Sequence, residues 1–417
     1  MIIKRPYYLQ KLIECRHTRM IKAITGIRRC GKSYLLFELY STWLTEQGVQ
    51  ADHIIKIDLE DRRNKALRNP DELLHHIDSQ IKDNEMHYVM IDEVQLVDEF
   101  EDVLNSYLKM PNVDVYATGS NAKFLSKDVI TAFRGRSIEI KVYPLSFKEF
   151  FSACNGTKEK ALDIYATYGG MPQVLEFNDE ELKSDYLKNL YSETYIRDIK
   201  DRYCIKDDEV LENLLDFISS SIGSLTNPSK LANTFTSLKR ESISRNTICK
   251  YLEYICDSFL VEKVLRYDVK GKKYIDTPYK YYFTDVGLRN ARLNFRQLEP
   301  SHVMENIIYN QLRIRGFNVD VGIVPVVKRT PDGKQQRVTL EIDFVCNKGS
   351  RKYYIQSAYQ MLNEDKIRQE EASLRRVDDS FKKIIIIGQD IIPRRDDVGI
   401  TTIGIYDFLL KDNALEL

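Results

Sequence analysis

The segment that decides the fold is Ile21-Lys-Ala-Ile-Thr25, which leads directly into Gly26-Ile27-Arg28-Arg29-Cys30-Gly31-Lys32-Ser33. The first five residues form a short β-branched run that predicts a buried strand. The next eight match the pattern GxxxxGK[ST], in which loop glycines allow backbone N–H groups to surround a phosphate. The residues that follow, from Tyr34 to Leu44, have a helical pattern. The dipole of such a helix would point at the same phosphate.

This strand, loop and helix predict a site for ATP and Mg²⁺. Lys32 would neutralise the β- and γ-phosphate oxygens, and the hydroxyl of Ser33 would reach the metal. A glycine-containing turn that matches by chance is the alternative, and the flanking strand and helix argue against it. The predicted nucleotide contacts are Gly26, Ile27, Arg28, Arg29, Cys30, Gly31, Lys32, Ser33 and Tyr34.

A second apolar run, His87-Tyr-Val-Met-Ile-Asp92-Glu93, ends in two acids. Paired acids after a strand are common on protein surfaces, but here they follow a phosphate loop in the expected order. Asp92 would then hold Mg²⁺, and Glu93 would polarise the attacking water. With Lys32, these acids predict that the chain hydrolyses ATP.

A third apolar run, Val113–Thr118, is followed by Gly119-Ser120-Asn121. Ser120 or Asn121 could sense the γ-phosphate, and a plain turn is the alternative. With the run Ile54–Asp58, strands and helices alternate from residue 20 to about 150. This alternation predicts a parallel sheet covered on both faces. A further strand between the phosphate-loop strand and the acid strand would be the arrangement of the additional-strand ATPases.

Two arginines, Arg134 and Arg136, precede a further strand-like run, Ser137–Val142. They could stabilise charge in the transition state, most simply as a finger reaching across a subunit boundary in a homo-oligomer. The alternative is an exposed pair that forms salt bridges.

Together these motifs resemble the AAA-type P-loop ATPases of bacteria and archaea in which the ATPase domain precedes a C-terminal domain of uncharacterised function. The resemblance covers nearly the whole chain and includes Tyr143–Phe150 and the lid-like Tyr168-Gly-Gly-Met-Pro172. We predict an α/β protein of four domains. These are an ATPase domain over 1–155, a helical lid over 156–222, a winged helix over 223–295 and a restriction-endonuclease-like α/β domain over 296–417.

The predicted winged helix has a first helix from Pro228, a second over Arg245–Asp257, and two Tyr-rich ribbons, Leu260–Tyr267 and Lys280–Thr284. From Asn227 to Phe295 there are 13 Lys and Arg against seven Asp and Glu, which favours DNA as a partner. Winged helices also bind proteins, so protein partners remain an alternative. The predicted DNA contacts are Arg245, Asn246, Lys250, Lys270, Lys272 and Lys273.

The C-terminal region has a helix acid, Glu305, a strand acid, Asp343, and a strand that ends Gln356-Ser-Ala358. This layout is typical of restriction-endonuclease-like folds, whose acids hold Mg²⁺ for phosphodiester hydrolysis. An active member would carry a lysine two residues after Gln356, and alanine stands there. The domain is therefore predicted to be degenerate, with an ATP-regulated, Mg²⁺-dependent nuclease as the alternative and Lys366 as a conceivable substitute.

Composition limits the class of protein. The chain has 417 residues, 43% hydrophobic and 30% charged, with zero net charge, so several folded domains are expected. No apolar run approaches the ~18 residues needed to span a bilayer. We therefore expect no membrane partner. The seven cysteines are scattered without a clustered His and Cys ligand set, which predicts free thiols in the cytoplasm. The predicted function is an ATP-hydrolysing switch associated with DNA, and the alternative is a signalling ATPase whose C-terminal modules bind protein.

Overall fold

The structure is a computed structural model that describes residues 2–120, 133, 135–205, 208–239, 243–329, 335–361 and 364–417. It divides into two compact units. The first comprises Met1–Pro144 and Asp257–Phe259, and the second comprises Leu145–Cys256 and Leu260–Leu417. The predicted domain boundaries at residues 155, 222 and 295 stay predictions.

The first unit is built on a five-stranded parallel sheet in the order β2-β3-β4-β1-β5. Its strands are β1 (Ile21–Thr25), β2 (Ile54–Asp58), β3 (His87–Asp92), β4 (Val113–Gly119) and β5 (Ser137–Lys141). The phosphate-loop strand β1 and the acid strand β3 are separated by β4, which is the additional-strand arrangement. The carboxyl ends of β1, β3 and β4 therefore lie side by side.

Helices pack against this sheet and bury it. They are α1 (Pro6–Glu14), α2 (Lys32–Tyr34), a π-helical stretch (Leu35–Tyr40), α3 (Ser41–Glu46), α4 (Pro70–Asp78) and α5 (Phe100–Tyr107). Three 3₁₀ turns lie at Ala51–His53, Arg62–Arg68 and Val94–Leu96. In the core, Leu73 and Ile77 of α4 and Leu104 of α5 pack with the apolar residues of the strands. This close packing holds the ends of the strands rigidly in place.

One charged pair lies inside this sheet. Lys22 on β1 is fully buried and forms an ion pair with Asp114 on β4. Asp114 Oδ2 also accepts hydrogen bonds from the Tyr116 hydroxyl at 2.8 Å and the His17 backbone N–H at 3.0 Å. Because both charges are paired and hydrogen-bonded, β1 remains buried along its length despite its lysine.

The second unit begins with helices, which are followed by a mixed β-sheet with further helices. Its helices are α6 (Phe147–Ala153), α7 (Lys158–Tyr168), α8 (Glu180–Asn189), a π-helical stretch (Leu190–Ile196), α9 (Arg197–Tyr203), α10 (Asp208–Ser220), α11 (Pro228–Lys239), α12 (Arg245–Asp257), α13 (Val286–Arg292), α14 (Pro300–Ile314), α15 (Glu364–Leu374) and α16 (Ile405–Leu410). Short 3₁₀ turns lie at Pro172–Glu176 and Ala414–Glu416. Within the described residues, none of the helices has both the length and the apolar character needed to cross a membrane.

The glycine pair after α7 has a packing role. Gly169 has φ +73°, and a Cβ there would lie 2.1 Å from Oδ1 of Asp285, the N-cap of α13. The N–H of Gly170 donates to Asp285 Oδ2 at 2.7 Å. Burial raises the pKa of Asp285 to about 6. The Tyr168-Gly-Gly-Met-Pro172 sequence thus joins α7 to α13.

An eight-stranded mixed sheet occupies the C-terminal part of this unit, in the order β12-β13-β11-β10-β9-β8-β6-β7. Its strands are β6 (Val261–Asp268), β7 (Lys273–Phe283), β8 (Asn318–Arg329), β9 (Gln335–Lys348), β10 (Arg351–Ala358), β11 (Lys382–Ile387), β12 (Arg394–Arg395) and β13 (Ile400–Gly404). The β6–β7 hairpin, predicted as a wing, pairs with β8 in parallel over three residues, from Arg266 to Asp268. The hairpin therefore extends the C-terminal sheet.

Candidate active site

The loop between β1 and α2 requires glycine at two positions. Gly26 has φ +145°, and a Cβ there would lie 2.1 Å from the carbonyl oxygen of Val142. Gly31 has φ +97° and is the N-cap of α2. Residues with a side chain rarely adopt such backbone conformations. The fold of the loop therefore explains both glycines of the motif.

A buried arginine fixes this loop to the segment after β5. Arg5 Nη1 donates to the carbonyl oxygen of Cys30 at 2.9 Å, and Arg5 Nη2 donates to that of Tyr143 at 2.8 Å. Arg5 could not be predicted from sequence, because an isolated basic residue belongs to no motif. The hydrogen bonds of the buried Arg5 side chain stabilise the conformation of the phosphate loop.

Lys32 lies between the loop and the acid pair. Its side chain is almost fully buried, and Nζ donates to the carbonyl oxygens of Gly26 at 3.1 Å and Ile27 at 3.3 Å. Nζ also lies 3.6 Å from Oε1 of Glu93. The ammonium group is thus held by the loop at the carboxyl edge of the sheet.

Ser33 and Asp92 meet across the gap between the loop and β3. The Ser33 hydroxyl donates to Asp92 Oδ2 at 2.7 Å, and the Thr118 hydroxyl donates to Asp92 Oδ1 at 2.5 Å. Burial raises the pKa of Asp92 to about 6. An adjacent hydroxyl and carboxylate are hard oxygen donors of the type that Mg²⁺ prefers, so the residues present fit this ion.

Glu93 is oriented by three neighbours. Its backbone is left-handed, with φ +54°, and its N–H donates to Thr118 Oγ1 at 2.9 Å. Its Oε2 accepts from the Ser120 hydroxyl at 2.7 Å and from the side-chain amide of Gln95. Gln95 was missed by the sequence analysis, although its place two residues after Glu93 was the available signal. Thr118 contacts both acids and so couples their positions.

Of the two residues predicted to sense the γ-phosphate, Ser120 contacts Glu93, whereas Asn121 lies outside the described residues, as does Arg134. Arg136 is described and stands just before β5, where its carbonyl oxygen accepts from Ile21 N at 2.9 Å. This is the amino edge of the parallel sheet, opposite the phosphate loop. A role for Arg136 at the loop of its own chain is therefore excluded by the topology.

The other residues of the phosphate loop differ in how far they are exposed to solvent. Ile27 and Cys30 are buried, whereas Arg29 is exposed and has φ +62°. Arg28 forms an ion pair with Glu60, and Tyr34 ends α2 half-buried. The predicted contacts thus include both loop-stabilising and solvent-facing side chains.

The predicted C-terminal acids come together around a lysine that the sequence analysis missed. Lys280 Nζ lies 2.9 Å from Glu305 Oε1, 2.8 Å from Glu341 Oε1 and 3.7 Å from Asp343 Oδ1. Burial alone would lower the pKa of Lys280, but the carboxylates of Glu305, Asp343 and Glu341 raise it well above its usual value. The Tyr282 hydroxyl also donates to Glu305 Oε1 at 2.5 Å.

Gln356 lies beside this cluster. Its Oε1 accepts from the backbone N–H of Asp343 at 3.4 Å, and its Nε2 donates to Glu370 at 3.3 Å. Lys366 forms an ion pair with Glu370 at 2.8 Å. The structure therefore brings Glu305, Asp343 and Gln356 into one neighbourhood, and Lys280 supplies an ammonium group there from β7.

The predicted DNA contacts are all exposed. Three lie in the first turns of α12, where the Ser244 hydroxyl accepts from the Thr247 N–H at 3.0 Å, and three lie in and beside the β6–β7 turn. They are Arg245, Asn246 and Lys250 on the helix and Lys270, Lys272 and Lys273 at the turn.

The sheet order and the loop define the class of protein as an AAA-type P-loop ATPase. A family model described as an AAA domain matches residues 18–151, and one described as a domain of unknown function matches 159–299. An uncharacterized protein of Haemophilus influenzae is 35% identical over 416 residues, covering 98% of this chain and 99% of that protein. The chain therefore belongs to the family of that protein.

Two further comparisons identify similar proteins. An uncharacterized protein of Methanocaldococcus jannaschii is 29% identical over 95% of this chain and 86% of its own length. The solved structure of a Walker-type ATPase of Pyrococcus abyssi matches with a TM-score of 0.51 at 17% identity, over 70% of this chain and 96% of that one. At that identity the likeness concerns the fold. The AAA-domain match and the loop support binding of ATP.

Proposed function

We propose that the first unit hydrolyses ATP and acts as a molecular switch. The proposal rests on two neighbouring acids at the end of β3, Asp92 and Glu93, whose carboxylates contact different groups. The carboxylate of Asp92 meets Ser33, whereas that of Glu93 meets Lys32 and Ser120. One acid is thus available to a metal and the other to a water molecule, which is the division of roles that phosphoryl transfer to water requires.

Each side chain has a distinct task in this mechanism. Lys32 binds the β- and γ-phosphate oxygens, and Ser33 with Asp92 would hold Mg²⁺. When bound, that ion neutralises the charge of the phosphates. Glu93 orients the attacking water and accepts its proton, while Ser120 and Gln95 fix the Glu93 carboxylate by hydrogen bonds. The reaction converts ATP and water to ADP and phosphate.

We assign the remaining roles by sequence pattern. Asn121 would contact the γ-phosphate beside Ser120. Arg134 or Arg136 would act on the nucleotide of a neighbouring copy in a homo-oligomer, and the amino-edge location of Arg136 is compatible only with such a role in trans. The free thiols of all seven cysteines suit a reducing cytoplasm.

We assign DNA as the partner of the second unit. Arg245, Asn246 and Lys250 are exposed at the start of α12, which is the part of a winged helix that reaches base edges. Exposed Lys270, Lys272 and Lys273 at the hairpin turn suit contacts with phosphates. In this proposal the lid over 156–222 transmits the nucleotide state to the predicted winged helix over 223–295, whose β6–β7 hairpin is also part of the C-terminal sheet.

The restriction-endonuclease-like domain over 296–417 is assigned a binding or regulatory role. Lys280 already neutralises the carboxylates of Glu305 and Asp343, which reduces their attraction for a cation. The same observation keeps a Mg²⁺-dependent nuclease as the second candidate, because an ammonium group beside two acids and Gln356 is also what phosphodiester cleavage uses. Mg²⁺-dependent nicking of DNA that is lost in Asp343→Ala would establish the nuclease.

The test of the leading proposal is ATP turnover by the full chain with and without single-stranded DNA, double-stranded DNA and RNA. We expect Mg²⁺-dependent turnover, stimulation by DNA, and DNA binding that weakens with salt. Lys270→Ala should reduce the slope of log K against log salt by about one, because one phosphate contact is removed. Lys188→Ala, which changes a half-buried lysine on α8 whose side chain is 41% exposed, is the control and should leave the slope unchanged.

Three outcomes would contradict parts of this proposal. Wild-type turnover equal to that of Lys32→Ala would exclude the ATPase. Turnover without salt-sensitive DNA binding, together with a change of oligomeric state on adding ATP, would favour a signalling ATPase whose second unit binds protein. Stimulation by RNA alone would exclude DNA as the partner.

The pH dependence of Mg²⁺ affinity should report Asp92. Because burial raises the pKa of Asp92 to about 6, falling pH protonates this carboxylate and the metal must displace the proton. We expect the apparent affinity for Mg²⁺ with bound nucleotide to fall by about tenfold per pH unit below pH 6. The nucleotide titrates nearby, so Asp92→Asn is the reference. A wild-type profile parallel to that of Asp92→Asn would contradict the assignment.

A further inference from the structure

Two histidines and an aspartate lie close together at the amino edge of the first unit's sheet, away from the phosphate loop. His53 ends the 3₁₀ turn before β2, His87 begins β3, and Asp83 lies in the turn that precedes β3. Since β2 and β3 are parallel neighbours, with Ile54 opposite Tyr88, the two histidines lie side by side. One ligand atom from each of the three residues lies within 4.8 Å of the others.

The tautomer of His87 leaves one nitrogen ready to bind a metal. His87 Nδ1 lies 2.8 Å from the carbonyl oxygen of Glu85, which can only accept, so Nδ1 carries the proton. His87 Nε2 then has a lone pair, and it is buried without a hydrogen-bond partner among the described residues. An unpaired buried acceptor costs free energy, which a cation would recover. A hydrogen bond from Nδ1 to a carbonyl is also the usual support of a metal-binding histidine.

The side chains of His53 and Asp83 contact each other beside His87. His53 Nε2 lies 3.0 Å from Asp83 Oδ2, and the rings of His53 and His87 are 4.6 Å apart between centroids. Asp83 Oδ1 accepts from the Glu85 N–H at 2.9 Å, so the carboxylate is fixed by the turn. Asn112 braces the same turn by donating to the Asp83 carbonyl at 3.1 Å.

We propose that His53 Nε2, His87 Nε2 and Asp83 Oδ2 bind a divalent transition metal of the zinc class. Two imidazoles and one carboxylate suit Zn²⁺ and disfavour Mg²⁺, which prefers oxygen ligands. Tetrahedral geometry at zinc separates ligand atoms by about 3.3 to 3.6 Å, so a side-chain adjustment on the order of 1 Å closes the site. On binding, the His53 proton moves to Nδ1 or to solvent, and the bond to Asp83 is replaced by two bonds to the metal.

The metal would brace the amino ends of two strands. The side chain of Asp83 is 48% exposed, whereas that of His53 is 10% exposed, so a fourth position is open to water on the Asp83 side. The three ligands join the starts of β2 and β3 and the turn between α4 and β3. The site is separate from the nucleotide site, because Asp92 lies at the opposite end of β3.

The test is titration of the full chain, after removal of metals by a chelator, with Co²⁺ and then Zn²⁺. We expect one equivalent of Co²⁺ with a visible spectrum of tetrahedral coordination by nitrogen and oxygen, displacement by Zn²⁺, and no competition from excess Mg²⁺. Asp83→Asn keeps the acceptor for the Glu85 N–H and should weaken Zn²⁺ binding by at least about tenfold. His75→Ala, an exposed histidine on α4, is the matched control and should bind as the wild type does.

His87→Gln should abolish Zn²⁺ binding. Because His87 is buried, circular dichroism should first establish that this variant folds. Asp83 is exposed, so its variant tests the proposal even if His87→Gln fails to fold. The proposal is overturned if the wild type binds no stoichiometric Zn²⁺, or if Asp83→Asn binds equally well. It is also overturned if the Co²⁺ spectrum shows a thiolate charge-transfer band, since the ligands would then be cysteines.

Discussion

Glu93→Gln is expected to lower ATP turnover by about 10²- to 10⁴-fold while ATP binding is retained. The change preserves the shape of the side chain and its hydrogen bond with the Ser120 hydroxyl, but it removes the base that accepts the proton of water. The backbone around Glu93 is fixed by Thr118, which accepts from its N–H at 2.9 Å. The amide should therefore occupy the place of the carboxylate, so the loss falls on the chemical step.

Turnover and equilibrium binding of ATP must be measured on the same preparations. Asp98→Asn, which changes an exposed acid five residues along the chain, is the matched control and should retain turnover. Lys32→Ala should lose binding as well as turnover, because the ammonium group contacts the phosphates in both states. Turnover of Glu93→Gln within threefold of the wild type would show that another group activates the water. A parallel loss of binding would assign Glu93 a structural role through its ion pair with Lys32.

The sheet of the first unit could be predicted because its signals are local. A phosphate loop follows β1 and an acid pair follows β3, and each motif is contiguous in sequence. The C-terminal sheet differs, because β6 meets β8 over only three residues. Such a short parallel contact between strands far apart in sequence leaves no periodic signal. The hairpin therefore looked like a separate wing, whereas the structure joins it to the sheet.

The residues of the candidate sites likewise divide into those with a local sequence signal and those without one. Lys32, Ser33, Asp92 and Glu93 follow from motif spacing, because their roles depend on fixed positions at strand ends. Lys280 does not, because it reaches Asp343 from a different strand. Its signal was its place in the Tyr-rich run of β7. A lysine in a buried strand requires acidic partners, and that requirement could have been stated from sequence.

Lys280→Met is expected to destabilise the second unit by about 3 to 5 kcal/mol, because it leaves carboxylates buried without their cation. Glu305 and Asp343 keep only 12% and 11% of their side-chain surface, so water compensates little. Methionine has a similar volume, which limits the contribution of a cavity. Burial and the Glu305 charge already raise the pKa of Asp343. A carboxyl with a raised pKa in the folded state gains stability as pH falls, so the deficit should shrink toward low pH.

Hydrogen exchange of the amides of β9 and β10 should measure this loss, because the two compact units need not unfold in one step. Lys273→Met, at the exposed start of the same strand, is the matched control and should change stability by less than about 0.5 kcal/mol. Adding Glu305→Gln and Asp343→Asn to Lys280→Met should recover most of the loss, because the two most buried charges are then gone and the remaining carboxylate, Glu341, is 34% exposed. A deficit below about 1 kcal/mol would contradict the buried cluster. If millimolar Mg²⁺ instead restores Lys280→Met, the carboxylates can bind a metal once the ammonium is removed, and Lys280 is then the group that keeps this site closed to cations.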